Sequence, residues 1–164
     1  MSKVSPFLWF DSQAEEAANL YVSIFPNSRI TNVARYGGGE GSPGPGGSVM
    51  TVSFELDGVP VTALNGGPHF KLNEAFSMFV NCADQAEVDY YWDTLTADGG
   101  EEGQCGWLKD KYGLSWQVVP VGWEEILSDP ASERCRRATQ ALYGMKKIDL
   151  AALYAAADGA LADD

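Results

Sequence analysis

Histidine is almost missing from this chain, since His69 is the single one among 164 residues. One histidine without a Gly-x-Ser-x-Gly turn gives no Ser-His-Asp set, and neither HExxH nor a phosphate-binding P-loop occurs. The three cysteines, Cys82, Cys105 and Cys135, are widely spaced and include no CxxC pair, which argues against a disulfide framework or a zinc knuckle. We therefore expect reduced thiols and a cytoplasmic protein.

Long apolar runs and basic charge are also scarce. No segment approaches the roughly 18 apolar residues of a membrane span, and no basic region precedes an apolar stretch at the N-terminus, so no secretory signal is predicted. The formal net charge of −12 repels nucleic acid and anionic membranes. The acidic excess falls in residues 1–130, whereas residues 131–164 are balanced. The basic residues of that last part predict either a solvated helix face or a surface for an acidic partner.

One sequence pattern occurs twice, at an offset of 72 residues. Residues 7–15 read FLWFDSQAE, and residues 79–87 read FVNCADQAE. In each copy an apolar, strand-like run is followed by two residues with the spacing of a helix-capping box, Ser12 and Glu15 in the first and Asp84 and Glu87 in the second. Apolar residues at helical spacing follow both boxes, and the two predicted helices end at Pro26-Asn27 and Gly99-Gly100.

Strand-like segments follow each predicted helix. In the first half they are Arg29–Tyr36, Val49–Leu56 and Val59–Leu64, and in the second half Gly103–Cys105, Gly106–Lys111 and Leu114–Val119. A tight hairpin turn is predicted at Asp57-Gly58, and Tyr112-Gly113 stands where the second hairpin should turn. Each half therefore predicts β-α-β-β-β. Halves of this size bury little apolar surface alone, so we expect them to pair, within one chain or between chains.

Linkers and a tail complete the organisation. We place a first module at residues 1–66, a linker at 67–75, a second module at 76–122 and a helical tail at 123–164. Residues 37–47 read GGGEGSPGPGG and contain the spelling of a dinucleotide-binding turn. That turn needs a helix after it, and a strand is expected here, so we reject this function. Asp129-Pro130 and Asp149 predict the starts of two tail helices.

Four longer segments resemble one known family: FLWFDSQAEEAANLYVSIFPNSRI, NGGPHFKLNEAFSMFVNC, EVDYYWDTLTADGG and CGWLKDKYGLSWQVVP. They are similar to the PhnB-like group, often labelled 3-demethylubiquinone-9 3-methyltransferase, in the vicinal oxygen chelate superfamily of glyoxalases, bleomycin-resistance proteins and dioxygenases. The resemblance covers about residues 3–128. It implies an α+β fold of paired βαβββ modules, the glyoxalase fold, here with a C-terminal helical tail, and it implies a homodimer.

The resemblance also implies where a metal would bind. In metal-dependent relatives the ligands are His or Gln on the first strand, Glu on the fourth, His on the fifth and Glu on the eighth, and the metal polarises two substrate oxygens. Here those positions fall on Val4, near Leu64 or Asn65, on Ser77 and on Gln117. One weak ligand of four does not hold a hard cation, so we predict no metal and no other cofactor.

These patterns favour a metal-free protein that binds a small aromatic or apolar molecule, or an uncharacterised enzyme with such a pocket. Two alternatives stay open: methyl transfer to a quinone precursor, as the family label implies, and an interaction protein that acts through its tail. Neither nucleic acid nor a membrane is an expected partner. His69 is either a polar loop residue or a base at the pocket. The candidate pocket residues are Trp9, Asn65, His69, Ser77, Trp116 and Gln117.

Overall fold

A computed structural model describes residues 3–159 and divides them into two units, with the boundary between Asn73 and Glu74. The first unit contains β1 (Phe7–Phe10), α1 (Ala14–Ile24), β2 (Arg29–Arg35), β3 (Val49–Leu56) and β4 (Val59–Asn65). Its strands form one sheet in the order β1-β4-β3-β2, in which β1 runs parallel to β4 and the other neighbours are antiparallel. The β-α-β-β-β order predicted for this half is confirmed.

The second unit repeats this order and adds helices. It contains β5 (Ser77–Cys82), α2 (Gln85–Thr96), β6 (Glu101–Glu102), β7 (Trp107–Lys109) and β8 (Ser115–Pro120), followed by α3 (Trp123–Ile126), α4 (Glu133–Tyr143) and α5 (Leu150–Ala157). A short 3-10 turn at Ala97–Gly99 follows α2. The sheet order is β5-β8-β7-β6, with β5 parallel to β8. The α+β fold with C-terminal helices is therefore as predicted.

The core of the first unit lies between α1 and one face of its sheet. Strand alternation turns every second side chain of β3 and β4 towards the helix, and Phe54 and Val61 are accordingly buried. Ala17 and Ala18 let α1 approach closely, and the ring of Tyr21 lies 6.3 Å from that of Phe54 between centroids. Burying each of the two aromatic side chains contributes on the order of 2 kcal/mol.

The first helix begins differently from the sequence prediction. Its N-cap residue is Gln13, whose side chain makes no capping hydrogen bond. Instead, Asn65 Oδ1 accepts a hydrogen bond of 2.8 Å from Ala14 N. Because β4 pairs with β1, the Asn65 side chain at the end of β4 lies next to the residues that connect β1 to α1. The capping box predicted from Ser12 to Glu15 is therefore wrong.

The second helix begins as predicted. Asp84 Oδ1 accepts a hydrogen bond of 2.9 Å from Glu87 N, and Glu87 Oε2 accepts one of 2.7 Å from Ala83 N. In a standard capping box the Glu side chain accepts from the backbone N–H of the N-cap residue, whereas here Glu87 accepts from Ala83, the residue before the N-cap. α2 turns Trp92 and Leu95, each 1% exposed, into the core of the second unit.

Helices α3 to α5 cover the end of β8. Val119 is buried there in one apolar cluster with Ile126, Ala138, Leu142, Ile148, Leu153 and Ala157. Asp149 caps α5 as predicted, since its Oδ1 accepts a bond of 2.9 Å from Ala152 N. The predicted start of α4 at Asp129-Pro130 is wrong, because Ser132 Oγ caps this helix by accepting from Cys135 N at 3.1 Å.

The bounds of β6 differ from the prediction, whereas the glycine-rich loop lies where it was expected. β6 is formed by residues 101–102 and not by 103–105, because residues 103–107 turn, with Trp107 N bonded to Gln104 O and a positive φ of 56° at Cys105. The glycine-rich residues 37–47 connect β2 to β3, so the rejection of a dinucleotide-binding turn is confirmed. None of the helices within residues 3–159 has the length and apolar character of a membrane span.

Candidate functional site

The second sheet has two different faces. One face packs on α2, and the other, called the open face below, carries alternate residues of β5, β7 and β8. Phe79, Gln117 and Trp107 are register partners in one row across the open face. Phe79 is 47% exposed, and Gln117 and Trp107 are half-buried. Two aromatic side chains therefore flank a single amide on a face that α2 does not cover.

Two of the predicted pocket residues meet on this face. Gln117 Nε2 donates a hydrogen bond of 2.9 Å to Ser77 Oγ, which joins the parallel strands β5 and β8 through their side chains. Within residues 3–159 neither side chain makes a further hydrogen bond. The Gln117 carbonyl oxygen therefore remains an acceptor, and the Ser77 hydroxyl remains a donor, for a molecule bound on the open face.

Trp116 lies on the opposite side of the same sheet. It precedes Gln117 on β8, so strand alternation turns its side chain towards α2, where it is 1% exposed. Its Nε1 donates a hydrogen bond of 2.9 Å to Asp110 Oδ2. The structure thus gives this predicted pocket residue a position in the core and separates it from the Ser77–Gln117 pair.

The predicted residues of the first unit gather around one loop. Trp9 Nε1 donates a hydrogen bond of 2.9 Å to Gly67 O, and the Phe70 ring meets the indole edge-on with 4.9 Å between centroids. A Cβ at Gly66 would lie 2.2 Å from the indole, so only glycine fits beneath it. His69 is exposed on this loop. Trp9 therefore anchors the loop after β4.

Asn65 has a structural role in the first unit. Besides capping α1 through Oδ1, its Nδ2 donates to Val49 O at 3.2 Å, so both ends of the amide are engaged. Its backbone oxygen accepts a hydrogen bond of 2.6 Å from the Tyr36 hydroxyl. The fourth-strand residue that the resemblance places near a metal is thus held by the protein itself.

A cavity of about 160 Å³ lies wholly within the second unit and shares Trp107 with the open face. Its lining is Glu74, Glu101, Glu102, Gly103, Trp107, Leu108, Lys109 and Ser115. Lys109 and Ser115 are register partners in the row next to that of Gln117. These lining residues are not among the pocket residues predicted from the sequence, although the period-two alternation of β7 and β8 places residues 107, 109, 115 and 117 on one face.

An ion pair spans the cavity wall. Lys109 Nζ contacts Glu74 Oε1. The hydrogen bond between the two side chains lowers the pKa of the Glu74 carboxyl and raises the pKa of the Lys109 amine. Both groups therefore stay charged across the neutral range. Glu102, on the same wall, accepts from Trp92 Nε1 at 3.0 Å, and this bond lowers the pKa of the Glu102 carboxyl.

The residues at the four metal-ligand positions do not fit a divalent cation. Val4 is apolar, the Asn65 amide is engaged, and the Ser77 and Gln117 side chains bond to each other. Across residues 3–159, no three His, Cys, Asp or Glu side chains are grouped so that they could hold a metal ion. A hard cation needs several charged oxygen ligands or histidine nitrogens, and this set offers neither.

The repeated βαβββ units are those of the vicinal oxygen chelate superfamily, to which the glyoxalases belong and in which the comparisons place this chain. Within it, the chain belongs to the 3-demethylubiquinone-9 3-methyltransferase family, whose model matches residues 2–119. The match ends at β8, so helices α3 to α5 lie outside the shared region. The resemblance that the sequence predicted is confirmed. The comparison with curated proteins gave no match.

Solved structures support the same placement. The PhnB protein of Bacillus cereus is 33% identical, with a TM-score of 0.65 over 73% of this chain and 100% of that one. Protein PA1353 of Pseudomonas aeruginosa is 18% identical, with a TM-score of 0.59 over 73% of this chain and 98% of that one. The fosfomycin resistance protein FosX of Listeria monocytogenes, solved with Mn(II) and sulfate, is 16% identical, with a TM-score of 0.51 over 78% and 97%. The last two show the fold alone.

Proposed function

We propose that this protein binds a small aromatic or apolar molecule, without a metal ion, on the open face of its second unit. The observation that carries the proposal is the 2.9 Å hydrogen bond between Gln117 Nε2 and Ser77 Oγ, placed between Phe79 and Trp107. Small-molecule sites typically combine apolar walls with a few polar groups that fix orientation. A hydroxyl and an amide stand here where the metal-dependent relatives are expected to carry a histidine and a glutamate.

The experiment measures binding of three aromatic probes of similar size: benzyl alcohol, benzoate and benzylamine. Quenching of the tryptophan fluorescence and a rise in melting temperature with probe concentration report binding. We expect at least one probe to bind, and Gln117→Leu to weaken it about fivefold because one oriented hydrogen bond is lost. The matched control is Gln140→Leu, which removes an exposed amide from α4. If no probe binds, or if Gln117→Leu binds as the parent does, the proposal is wrong.

We also propose that the protein is a cytoplasmic homodimer. Exposed aromatic side chains outside the proposed ligand site support association, since Phe7 is 62% exposed and Phe76 42%. Three free cysteines support a reducing compartment. Sedimentation at micromolar concentration should give the mass of two chains, and a purely monomeric species would contradict the dimer.

The basic residues of the tail are engaged within the chain, which favours a solvated helix face over a surface for an acidic partner. Arg134 pairs with Asp158 at 3.1 Å, and Lys147 pairs with Asp89 at 3.0 Å. Arg137 donates through Nη2 to Ala157 O at 2.6 Å, at the C-terminal end of α5. These contacts support a role for the cations in holding the tail helices to each other and to α2.

A further inference from the structure

We propose that the 160 Å³ cavity selects a ligand with a positive charge, an ammonium or guanidinium group attached to a small apolar body. This inference rests on the proposed function and names the chemical class of its ligand.

The wall carries more negative than positive charge. Glu74, Glu101 and Glu102 line it, and Lys109 is the one cation among its lining residues. Lys109 is neutralised by Glu74, and Glu102 is paired with Lys146 at 3.4 Å. Glu101 is exposed and forms no ion pair with any residue of the range 3–159. Glu101 is the register partner of Lys109, and its charge helps to raise the pKa of that amine. The three carboxylates still outnumber the two amines, so the wall as a whole attracts a cationic group.

A buried hydroxyl at the cavity has no partner. Ser115 lines the cavity and is 1% exposed, and its Oγ makes no hydrogen bond within the described residues. Buried polar groups are almost always hydrogen-bonded, because an unmade bond leaves the cost of desolvation uncompensated. Rotation of the Ser115 side chain towards the cavity would let a ligand N–H donate to its Oγ and satisfy this group.

Trp107 adds an aromatic ring that can attract a cation. Its half-buried indole lines the same cavity. The face of an indole attracts ammonium and guanidinium groups, most strongly where water is partly excluded. An anionic ligand is disfavoured, because it must displace Glu74 from Lys109 and then lie near the Glu101 carboxylate opposite that amine.

The experiment compares the three probes named above, which differ at one substituent and are cationic, neutral and anionic at neutral pH. We expect benzylamine to bind about tenfold more tightly than benzoate, and added salt to narrow this difference. Glu101→Gln should weaken benzylamine about threefold and leave benzyl alcohol unchanged, because it removes charge without changing shape. The matched control is Glu124→Gln, an exposed carboxylate on α3.

Ser115→Ala tests the hydroxyl separately. The variant should fold with an unchanged or higher melting temperature, because it removes an unsatisfied buried group, and it should weaken benzylamine about threefold. Equal affinities for the three probes would overturn the cationic class and leave the proposed function standing. Absence of binding by all three would overturn both. Unchanged benzylamine affinity in both Glu101→Gln and Ser115→Ala would place the cation elsewhere and overturn the inference.

Discussion

Trp116 Nε1 donates a hydrogen bond of 2.9 Å to Asp110 Oδ2, and the two residues are 1% and 3% exposed. The other carboxylate oxygen accepts from Tyr112 N at 2.9 Å and from Leu114 N at 3.1 Å. One buried carboxylate therefore satisfies two backbone donors of the β7–β8 turn and the indole of β8. The arrangement fixes the hairpin that carries Lys109 and Gln117 to the open face.

Asp110→Ala should lower the free energy of unfolding by about 4 kcal/mol, because two buried donors and one partly buried donor lose their acceptor at once. Urea denaturation followed by tryptophan fluorescence measures this change. Asp11→Ala is the control, since Asp11 is exposed, and it should stay within about 0.5 kcal/mol of the parent. A loss of less than about 1 kcal/mol in Asp110→Ala would contradict the role given to this carboxylate.

Cys82 should be the least reactive of the cysteines. Burial raises the pKa of its thiol to about 12 from an ordinary value of 9.0. The thiolate is the reactive form, so iodoacetamide at pH 8 should label the partly exposed Cys105 before Cys82 in the native protein. Peptide mapping identifies the labelled residue, and chains unfolded in urea should lose the difference. Faster labelling of Cys82 would show that it is accessible.

The same thiol gives the stability a pH dependence. In the unfolded chain Cys82 ionises near its ordinary pKa, whereas the folded protein keeps it protonated until about pH 12. The unfolded state therefore binds fewer protons above pH 9, and the free energy of unfolding falls as the pH rises from about 9 towards 12. Cys82→Ala should flatten this slope relative to the parent in urea titrations at pH 8 and pH 10.

Residues 37–47 should be dispensable for folding. Tyr36 N donates to Ser48 O at 2.9 Å across the base of this loop. An Asn-Gly pair can join the same two residues in a tight turn, and shortening the loop changes the closure entropy little. We expect the melting temperature of this deletion to stay within about 3 °C of the parent. A larger loss would mean that the contact of Gly44 with the Tyr36 ring stabilises the fold.

Local signals in the sequence were enough to predict the two β-α-β-β-β units. Period-two and period-3.6 patterns mark the elements, and Asp57-Gly58 has the positive φ angles of 45° and 79° that its hairpin turn requires. The errors arose where distant residues decide the outcome. Asn65 caps α1 from 51 residues away, so no local pattern around Ser12 reveals it.

The candidate site was predicted only in part, for a similar reason. Ser77 and Gln117 came from the resemblance, and their contact depends on the register between two parallel strands that lie 40 residues apart. Strand alternation alone puts Gln117 and Trp116 on opposite faces of the sheet, which is sufficient to predict a core position for the tryptophan. Glu74 joins the site from the segment before β5 through its pair with Lys109, which no spacing rule predicts.

The protein should hold no tightly bound metal. Val4, Ser77 and Gln117 stand where charged ligands or histidines would be needed, and the last two bond to each other. After incubation with Mn²⁺ and gel filtration, elemental analysis of tag-free protein should find well under one equivalent per chain of manganese, zinc, nickel or iron. One retained equivalent would contradict this prediction, and the loss of that metal in His69→Ala would identify the ligand.

Despite the name of its family, the protein should not transfer methyl groups. An adenosylmethionine-type donor usually binds a doubly wound sheet, where a glycine turn leads into a helix and an acidic residue holds the ribose. Here the glycine-rich residues 37–47 lead into β3, and each unit has the order β-α-β-β-β. A different fold can bind the donor, so the site must decide. The Ser77–Gln117 pair carries no group that titrates near neutral pH to deprotonate a phenol.

The test is calorimetry with adenosylmethionine, followed by a methyl-transfer assay on a catechol-like quinone precursor. We expect no heat of binding at micromolar donor and no methylated product above the rate without protein. His69→Ala is the decisive variant, because His69 is the one histidine and lies exposed on the loop that Trp9 anchors. Micromolar donor binding together with turnover that is lost in His69→Ala would establish methyl transfer, with His69 acting as the base.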